Sequence, residues 1–140
     1  MSSGKLYSVA LPIGNEFDIT SRALNVLRTV DVIAAEDTRK FSGLKKRTGL
    51  NSDARVIAYH GHNEKESAAG IIALLEDGQS VALVSDAGTP RVSDPGYQLI
   101  RAVFEKGYQI IPVPGPSSLT AALSISPIPT DPLLFLGFIS

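Results

Sequence analysis

Side chains able to do chemistry are densest between residues 85 and 96. Here Ser85, Asp86, Ala87, Gly88, Thr89, Pro90, Arg91, Val92, Ser93, Asp94, Pro95 and Gly96 follow directly on the apolar run from Val81 to Val84. Carboxylates, hydroxyls and exposed backbone N–H groups on a frame stiffened by proline suit the polar headgroup of a small ligand. A second group, Glu36, Asp37, Thr38 and Arg39, sets two carboxylates beside a guanidinium after the run Val32 to Ala35. Carboxylates can accept protons, and a guanidinium forks onto phosphate. A third group, His60, Gly61, His62 and Asn63, follows Val56 to Tyr59. Loops rich in Gly, Pro and Asp are commonly plain connections. Repetition after every apolar run is what points to a site. Pro12, Ile13, Gly14 and Asn15 follow Leu6 to Leu11, and Pro114, Gly115, Pro116, Ser117 and Ser118 follow Gln109 to Val113.

The two histidines do not predict a metal. Residues at i and i+2 point to opposite sides of a strand, and neither a cysteine nor a third ligand stands at recognisable spacing. Nucleotide chemistry also lacks its fingerprint, since the chain holds neither a Gly-x-Gly-x-x-Gly run nor a P-loop lysine.

Segments of helical periodicity separate the five apolar runs. Strand and helix alternate, which predicts an α/β domain, a parallel sheet in three α/β/α layers. Ligands then bind beyond the carboxyl ends of the strands, where all five polar loops would lie. Ile19, Ala23, Val26, Leu27 and Val30 form one apolar stripe. Asn63 with Glu66 reads as a capping box before Ile71, Ile72, Leu74 and Leu75, with Gly78 as the stop. Asp94 followed by Pro95 reads as an N-cap ahead of Leu99, Ile100, Val103 and Phe104, with Gly107 as terminator. A shorter helix is expected over Phe41 to Arg47 and a fifth from Ser117 to Ile125.

The 140 residues, 44% hydrophobic, are enough for one domain with a sizeable core. There is no cysteine, which removes thiol nucleophiles, disulfides and thiolate metal sites and fits a cytoplasmic protein. No apolar run approaches the roughly 20 residues that cross a bilayer, so no membrane partner is expected. A net charge of −1 excludes a broadly basic surface. The charge is nevertheless uneven: Arg39, Lys40, Lys45, Lys46 and Arg47 cluster with no acid among them. That run reads either as a solvated helix face or as a salt-sensitive phosphate contact. Residues 1–126 read as the domain. Residues 127–140, with Pro127, Pro129 and Pro132 ahead of Leu133 to Ile139, read as a linker and the start of a further domain.

Several motifs, in order, carry a family resemblance. They are Pro12-Ile13-Gly14-Asn15, Asp18-Ile19-Thr20 with Arg22-Ala23, Glu36-Asp37-Thr38-Arg39, and Tyr59-His60 with His62-Asn63-Glu64. Ser85-Asp86-Ala87-Gly88-Thr89-Pro90, Ser93-Asp94-Pro95-Gly96, Pro112 with Pro114-Gly115-Pro116-Ser117, and Pro129-Thr130-Asp131 continue the series. Together they resemble the tetrapyrrole methylase superfamily and, within it, the branch that methylates small-subunit ribosomal RNA. The resemblance covers roughly residues 5 to 138 and is specific because so many motifs keep their order. The chain departs from the family at Arg91, where the family has Gly, at Leu11, where it has Thr, and at Gly61, where it has an acidic residue.

That resemblance implies the N-terminal domain of a two-domain enzyme that binds S-adenosylmethionine between its domains. The implied reaction is 2′-O-methylation of a cytidine ribose in small-subunit rRNA. The rRNA or the small ribosomal subunit is the expected partner, together with a second copy in a homodimer. It further implies Pro12, Gly14, Asp86, Gly88, Thr89, Pro90, Ser93, Ser117 and Ser118 as cofactor contacts. Helix starts at Asp94 and Ser117 would offer N–H groups to a carboxylate, unless each residue simply caps its helix. Methyl transfer to a hydroxyl needs positioning and a base. Glu36, Asp37 and His60 are the candidate bases, Arg39 suits a phosphate, and Arg39, Lys40, Lys45, Lys46 and Arg47 are the candidate RNA contacts. For Glu36 and Asp37 the plain alternative is a strand end paired with Arg39. Two other functions stay open, a methylase of tetrapyrroles such as precorrins and a binding module without catalysis. The basic run favours RNA over a tetrapyrrole.

Overall fold

The computed structural model describes residues 2–139. Among these described residues five strands and five α-helices alternate: β1 (Lys5–Val9), α1 (Ser21–Thr29), β2 (Val32–Ala35), α2 (Thr38–Thr48), β3 (Arg55–Ala58), α3 (Glu64–Glu76), β4 (Val81–Val84), α4 (Tyr97–Glu105), β5 (Gln109–Val113) and α5 (Ser118–Ser124). Short 3₁₀ turns at Glu16–Asp18 and Gly61–Asn63 precede α1 and α3. The sheet order is β3-β2-β4-β1-β5 and every pairing is parallel. Val81 is level with Leu6 on one side and with Val32 on the other, so the central strands finish together.

Side chains alternate across a strand, and here each face has its own core. Val9, Ile33, Ala35, Ala82 and Val84 pack with Ala23, Leu27, Phe41 and Leu44 of α1 and α2. Leu6, Val32, Ala34, Val81 and Leu83 pack with Ala68, Ile71, Leu75, Leu99 and Val103 of α3 and α4. Both faces being covered, β2 and β4 are apolar and buried throughout. This is the three-layer α/β/α sandwich expected from the sequence. Among the described residues no helix is long and apolar enough to cross a membrane.

Polar groups also secure the sheet end away from the five loops. Asp31 Oδ2 accepts from the Ser80 backbone N–H at 2.8 Å and from its hydroxyl at 3.0 Å. Gly78 and Gly107 take φ +83° and +79° just beyond α3 and α4, where a left-handed residue ends a helix.

Several expectations are corrected. The first strand ends at Val9 rather than Leu11, because Leu11 turns to bridge Gly88. The short second helix is longer, Thr38–Thr48, since Asp37 caps it by accepting from Arg39 N at 2.9 Å. Asn63 and Glu66 form no capping box: the 3₁₀ turn directs Asn63 Oδ1 back to the His60 N–H at 3.1 Å. Asp94 does not cap α4, which begins at Tyr97 with Gly96 as N-cap. Phe104 lies 75% exposed at the outer edge of its stripe. Apart from these corrections, the apolar run 133–139 adds no strand to the sheet among the described residues, and Leu134 and Phe138 are exposed.

Leu27 is fully buried where α1 meets the sheet. Truncating such a side chain removes transfer energy and leaves a cavity, so Leu27→Ala is expected to destabilise the fold by about 3 kcal/mol. Urea unfolding should show a lower midpoint at an unchanged slope.

Candidate active site

The loops beyond β1, β4 and β5 are tied together. Leu11 N donates to Gly88 O at 2.9 Å, and Gly88 N returns a bond to Leu11 O at 3.0 Å. Gly88 holds φ +71°, which glycine adopts freely, and an added Cβ would meet Ile13 Cγ2 at 3.2 Å. The Thr89 hydroxyl donates to Pro116 O at 3.2 Å. Pro12, Gly14, Asn15 and Asp86 share a cavity of about 240 Å³. Ser117 lines a neighbouring one of about 560 Å³ with Ile13, Thr20, Gly115 and Thr120. Of the other implied cofactor contacts, Pro90 is buried, Ser118 is the exposed first residue of α5, and Ser93 Oγ lies against Gly137 of the C-terminal segment.

A third cavity, about 430 Å³, opens beside the ends of β2 and β3. Glu36, Asp37, Arg39, His60, His62 and Asp86 line it, so Asp86 stands between the two halves of the edge. Glu36 Oε2 accepts from Asp86 N at 3.3 Å, and Lys40 Nζ meets Asp86 Oδ2 at 3.0 Å. Lys40, read from the sequence as an RNA contact, is therefore already paired. Lys45 Nζ likewise donates to Ser52 O at 3.3 Å. Arg39, with its side chain 92% exposed, and the exposed Lys46 and Arg47 remain open to solvent, although Arg39 Nε lies 3.5 Å from Asp37 Oδ1.

The histidines correct a further expectation. Because β3 stops at Ala58 and the 3₁₀ turn follows, the rings do not diverge across a strand. They meet edge to face with centroids 5.9 Å apart and line the same cavity. His60 Nδ1 is buried without a hydrogen-bond partner among the described residues.

Environment separates the two carboxylates of this cavity. Asp37 is held below its ordinary value, chiefly by the Arg39 N–H that it caps. Glu36 is pushed up, first by removal from water and then by the charges of Asp86 and Asp94, against the opposing Asp86 N–H. Asp94 is also raised, by burial and then by Asp86, with the Ser85 hydroxyl opposing. Neighbouring carboxylates with opposed proton affinities can divide acid–base work, one staying ionised while the other exchanges a proton.

Arg91 and Ser93 take φ +73° and +59°, a region that costs an L-residue roughly 1 kcal/mol. The Arg91 guanidinium lies 5.4 Å from the centre of the Tyr97 ring, an attraction that offsets part of that cost.

A family-wide sequence pattern for Tetrapyrrole (Corrin/Porphyrin) Methylases matches residues 5–132. The chain belongs to the tetrapyrrole methylase family. Its relatives include the Ribosomal RNA small subunit methyltransferase I of Escherichia coli O157:H7, 50% identical over 138 residues, which are 99% of this chain and 48% of that protein. The protein of the same name from Mesorhizobium japonicum is 52% identical over 134 residues, 96% of this chain and 45% of that protein. The chain thus spans about half the length of the curated relatives it matches. Among solved structures, uroporphyrin-III-C-methyltransferase from Thermus thermophilus superimposes with a TM-score of 0.67 at 27% identity, over 86% of this chain and 52% of that one. Arg91 stands at a φ that glycine would adopt without cost.

Sequence reading missed Glu64. Its carboxylate Oε1 accepts from Gly96 N at 3.1 Å and Gln98 N at 3.0 Å, and so supplies from the start of α3 the cap that α4 lacks locally. Two N–H groups at this helix start, those of Gly96 and Gln98, are thus already bound and not free for a ligand. A signal for this partnership is absent from local spacing, because the two segments are 32 residues apart.

Two predictions follow from this geometry. Gly88→Ala places a Cβ at positive φ and against Ile13, so it should cost about 1 kcal/mol or more, read as a lower Tm. Glu36 binds its proton more tightly in the folded chain, so it lowers stability as pH rises from its ordinary 4.5 through its folded value. Glu36→Gln should therefore raise Tm at pH 7, and the gain should vanish as pH falls below 4.5.

Proposed function

We propose that this chain is the donor-binding half of an S-adenosylmethionine-dependent methyltransferase that modifies a ribose 2′-hydroxyl, that of a cytidine, in small-subunit ribosomal RNA. The observation that carries the reading is the pairing of two adjoining sites on one sheet edge. One is a ledge sewn together by the Leu11–Gly88 and Thr89–Pro116 bonds, and the other is a cavity holding a proton acceptor, Glu36, and an exposed guanidinium, Arg39. The names carried by relatives at about half identity supply the substrate class.

The ledge fits the donor. Ile13 and Pro12 give an apolar wall, Ser117, Thr20 and Thr120 give hydroxyls, and Asp86 gives an acceptor beside a cationic centre. When bound, S-adenosylmethionine supplies a methyl group activated by a sulfonium. Glu36, displaced upward in proton affinity, takes the hydroxyl proton as the ribose oxygen is methylated. Asp37 stays ionised and keeps α2 capped, with Arg39 at the mouth to hold a phosphate. His60 lines the same cavity and helps to place the acceptor. Positioning of this kind supplies the larger share of acceleration in such displacements. Residues 127–139, rich in proline and with exposed Leu134 and Phe138, are read as the linker into a further domain that closes the cleft. An RNA substrate of this kind places the protein in the cytoplasm.

A second reading, methylation of a tetrapyrrole carbon, is favoured by the structural likeness to uroporphyrin-III-C-methyltransferase. Calorimetry with S-adenosylmethionine and S-adenosylhomocysteine, followed by methyl-transfer assays on small-subunit rRNA and on a uroporphyrin, separates the two. The expected result is donor binding, transfer to RNA alone, and a kcat lowered roughly a hundredfold in Glu36→Gln. Arg39→Ala should reduce the slope of RNA affinity against salt by about one. Absence of donor binding by the intact protein would overturn the proposal, and transfer to the porphyrin alone would establish the second reading.

A further inference from the structure

The segment from Thr89 to Gly96 contains two non-glycine residues at positive φ, yet it carries part of the proposed donor ledge. It is anchored at its near end by the Leu11–Gly88 bridge and the Thr89–Pro116 bond. Its far anchor comes from another element. Glu64, the first residue of α3, accepts the Gly96 and Gln98 N–H groups through one carboxylate oxygen. Three conditions make these bonds stronger than an ordinary cap. The acceptor is ionic, the donors lie at the positive end of α4, and the fully buried Tyr59 side chain closes the space beside them. Tyr59 is held in its protonated form by burial and by the Glu64 charge, so the carboxylate does not face a second anion.

The residues just before Glu64 are equally constrained. His60 O accepts from Asn63 N at 3.1 Å while Asn63 Oδ1 accepts from His60 N at 3.1 Å, which closes the turn that carries the two imidazoles. Glu64 therefore joins a turn lining the acceptor cavity to the strained loop of the donor ledge.

We infer that Glu64 is a positioning residue, a latch that holds the 89–96 loop in its strained conformation and registers the donor ledge against the histidine turn. This rests on the function proposed above for the ledge, but the latch itself can be read without it. Arg91 is exposed and lies inside the latched loop, so tryptic cleavage after Arg91 reports its release. In the intact protein, Glu64→Ala should accelerate that cleavage roughly tenfold through local opening. Glu64→Gln keeps an acceptor oxygen but loses the charge, and should restore part of the protection. Asp31→Ala, which removes a comparable backbone cap at the opposite end of the sheet, should leave cleavage at Arg91 unchanged. In the methyl-transfer assay Glu64→Ala should raise KM for the donor about tenfold while KM for RNA stays within about twofold.

Unchanged cleavage in Glu64→Ala, or an equal rise in Asp31→Ala, would overturn the latch. So would a loss of kcat at unchanged donor KM. If no variant and no wild-type protein binds the donor, the proposed function fails, and the protease comparison alone then decides on Glu64.

Discussion

Two backbone hydrogen bonds between Leu11 and Gly88 set the geometry of everything above the sheet. β1 and β4 are neighbours, yet the helices that follow them lie on opposite faces of the sheet, α1 on one and α4 on the other. Chains that part in this way open a crevice at the strand ends, the place where doubly wound sheets bind ligands. An open crevice would let the two loops move independently. The Leu11–Gly88 pair closes its floor instead, and it requires the positive φ that Gly88 supplies. The Thr89 bond to Pro116 extends the tie to β5, while the Lys40–Asp86 pair extends it to α2. Two of the cavities at the edge consequently share Asp86 as a common wall.

Buried strands explain why the polar chemistry is confined to that edge. β2 and β4 have apolar side chains on both faces, so a charge on either would face a dry helix layer. Ionisable groups are tolerated only where the strands stop, and Glu36 stands immediately after Ala35, Asp86 just beyond Val84. Partial removal from water there raises Glu36 and Asp94 without forcing either into the core. The same boundary that ends the hydrophobic layer thus supplies a carboxylate with an elevated proton affinity.

Much of this was legible in the residues. The five apolar runs, the alternation with helical stripes and the position of the polar loops all follow from local periodicity, which short-range physics enforces. Glycines 78 and 107 marked helix ends because a left-handed residue there needs no tertiary help. The failures share a cause. Asp94 has the residue type, and Pro95 the following position, of a standard helix start, but Asp94 lies near Ser85 and Asp86 while a carboxylate from another helix takes the cap. Asn63 was similarly drawn into the turn before its helix. The histidine pair diverges only if the strand continues, and it stopped at Ala58. In each case a long-range or turn-level contact displaced a local preference that was sound in isolation.

Charge distribution bears on how a domain of net charge −1 can meet a polyanion. Of the five basic residues from 39 to 47, Lys40 and Lys45 are engaged internally, which leaves Arg39, Lys46 and Arg47 facing solvent along α2. Three exposed cations give weak attraction, screened within about 10 Å at ordinary salt. Such a surface does not hold RNA by charge alone, so recognition by the proposed methyltransferase rests on shape as well as on charge. That division suits the proposed acceptor, a ribose of small-subunit rRNA. Strong general attraction would bind it to every exposed phosphate, whereas a few cations beside Glu36 favour the one orientation that the proposed ribose methylation requires.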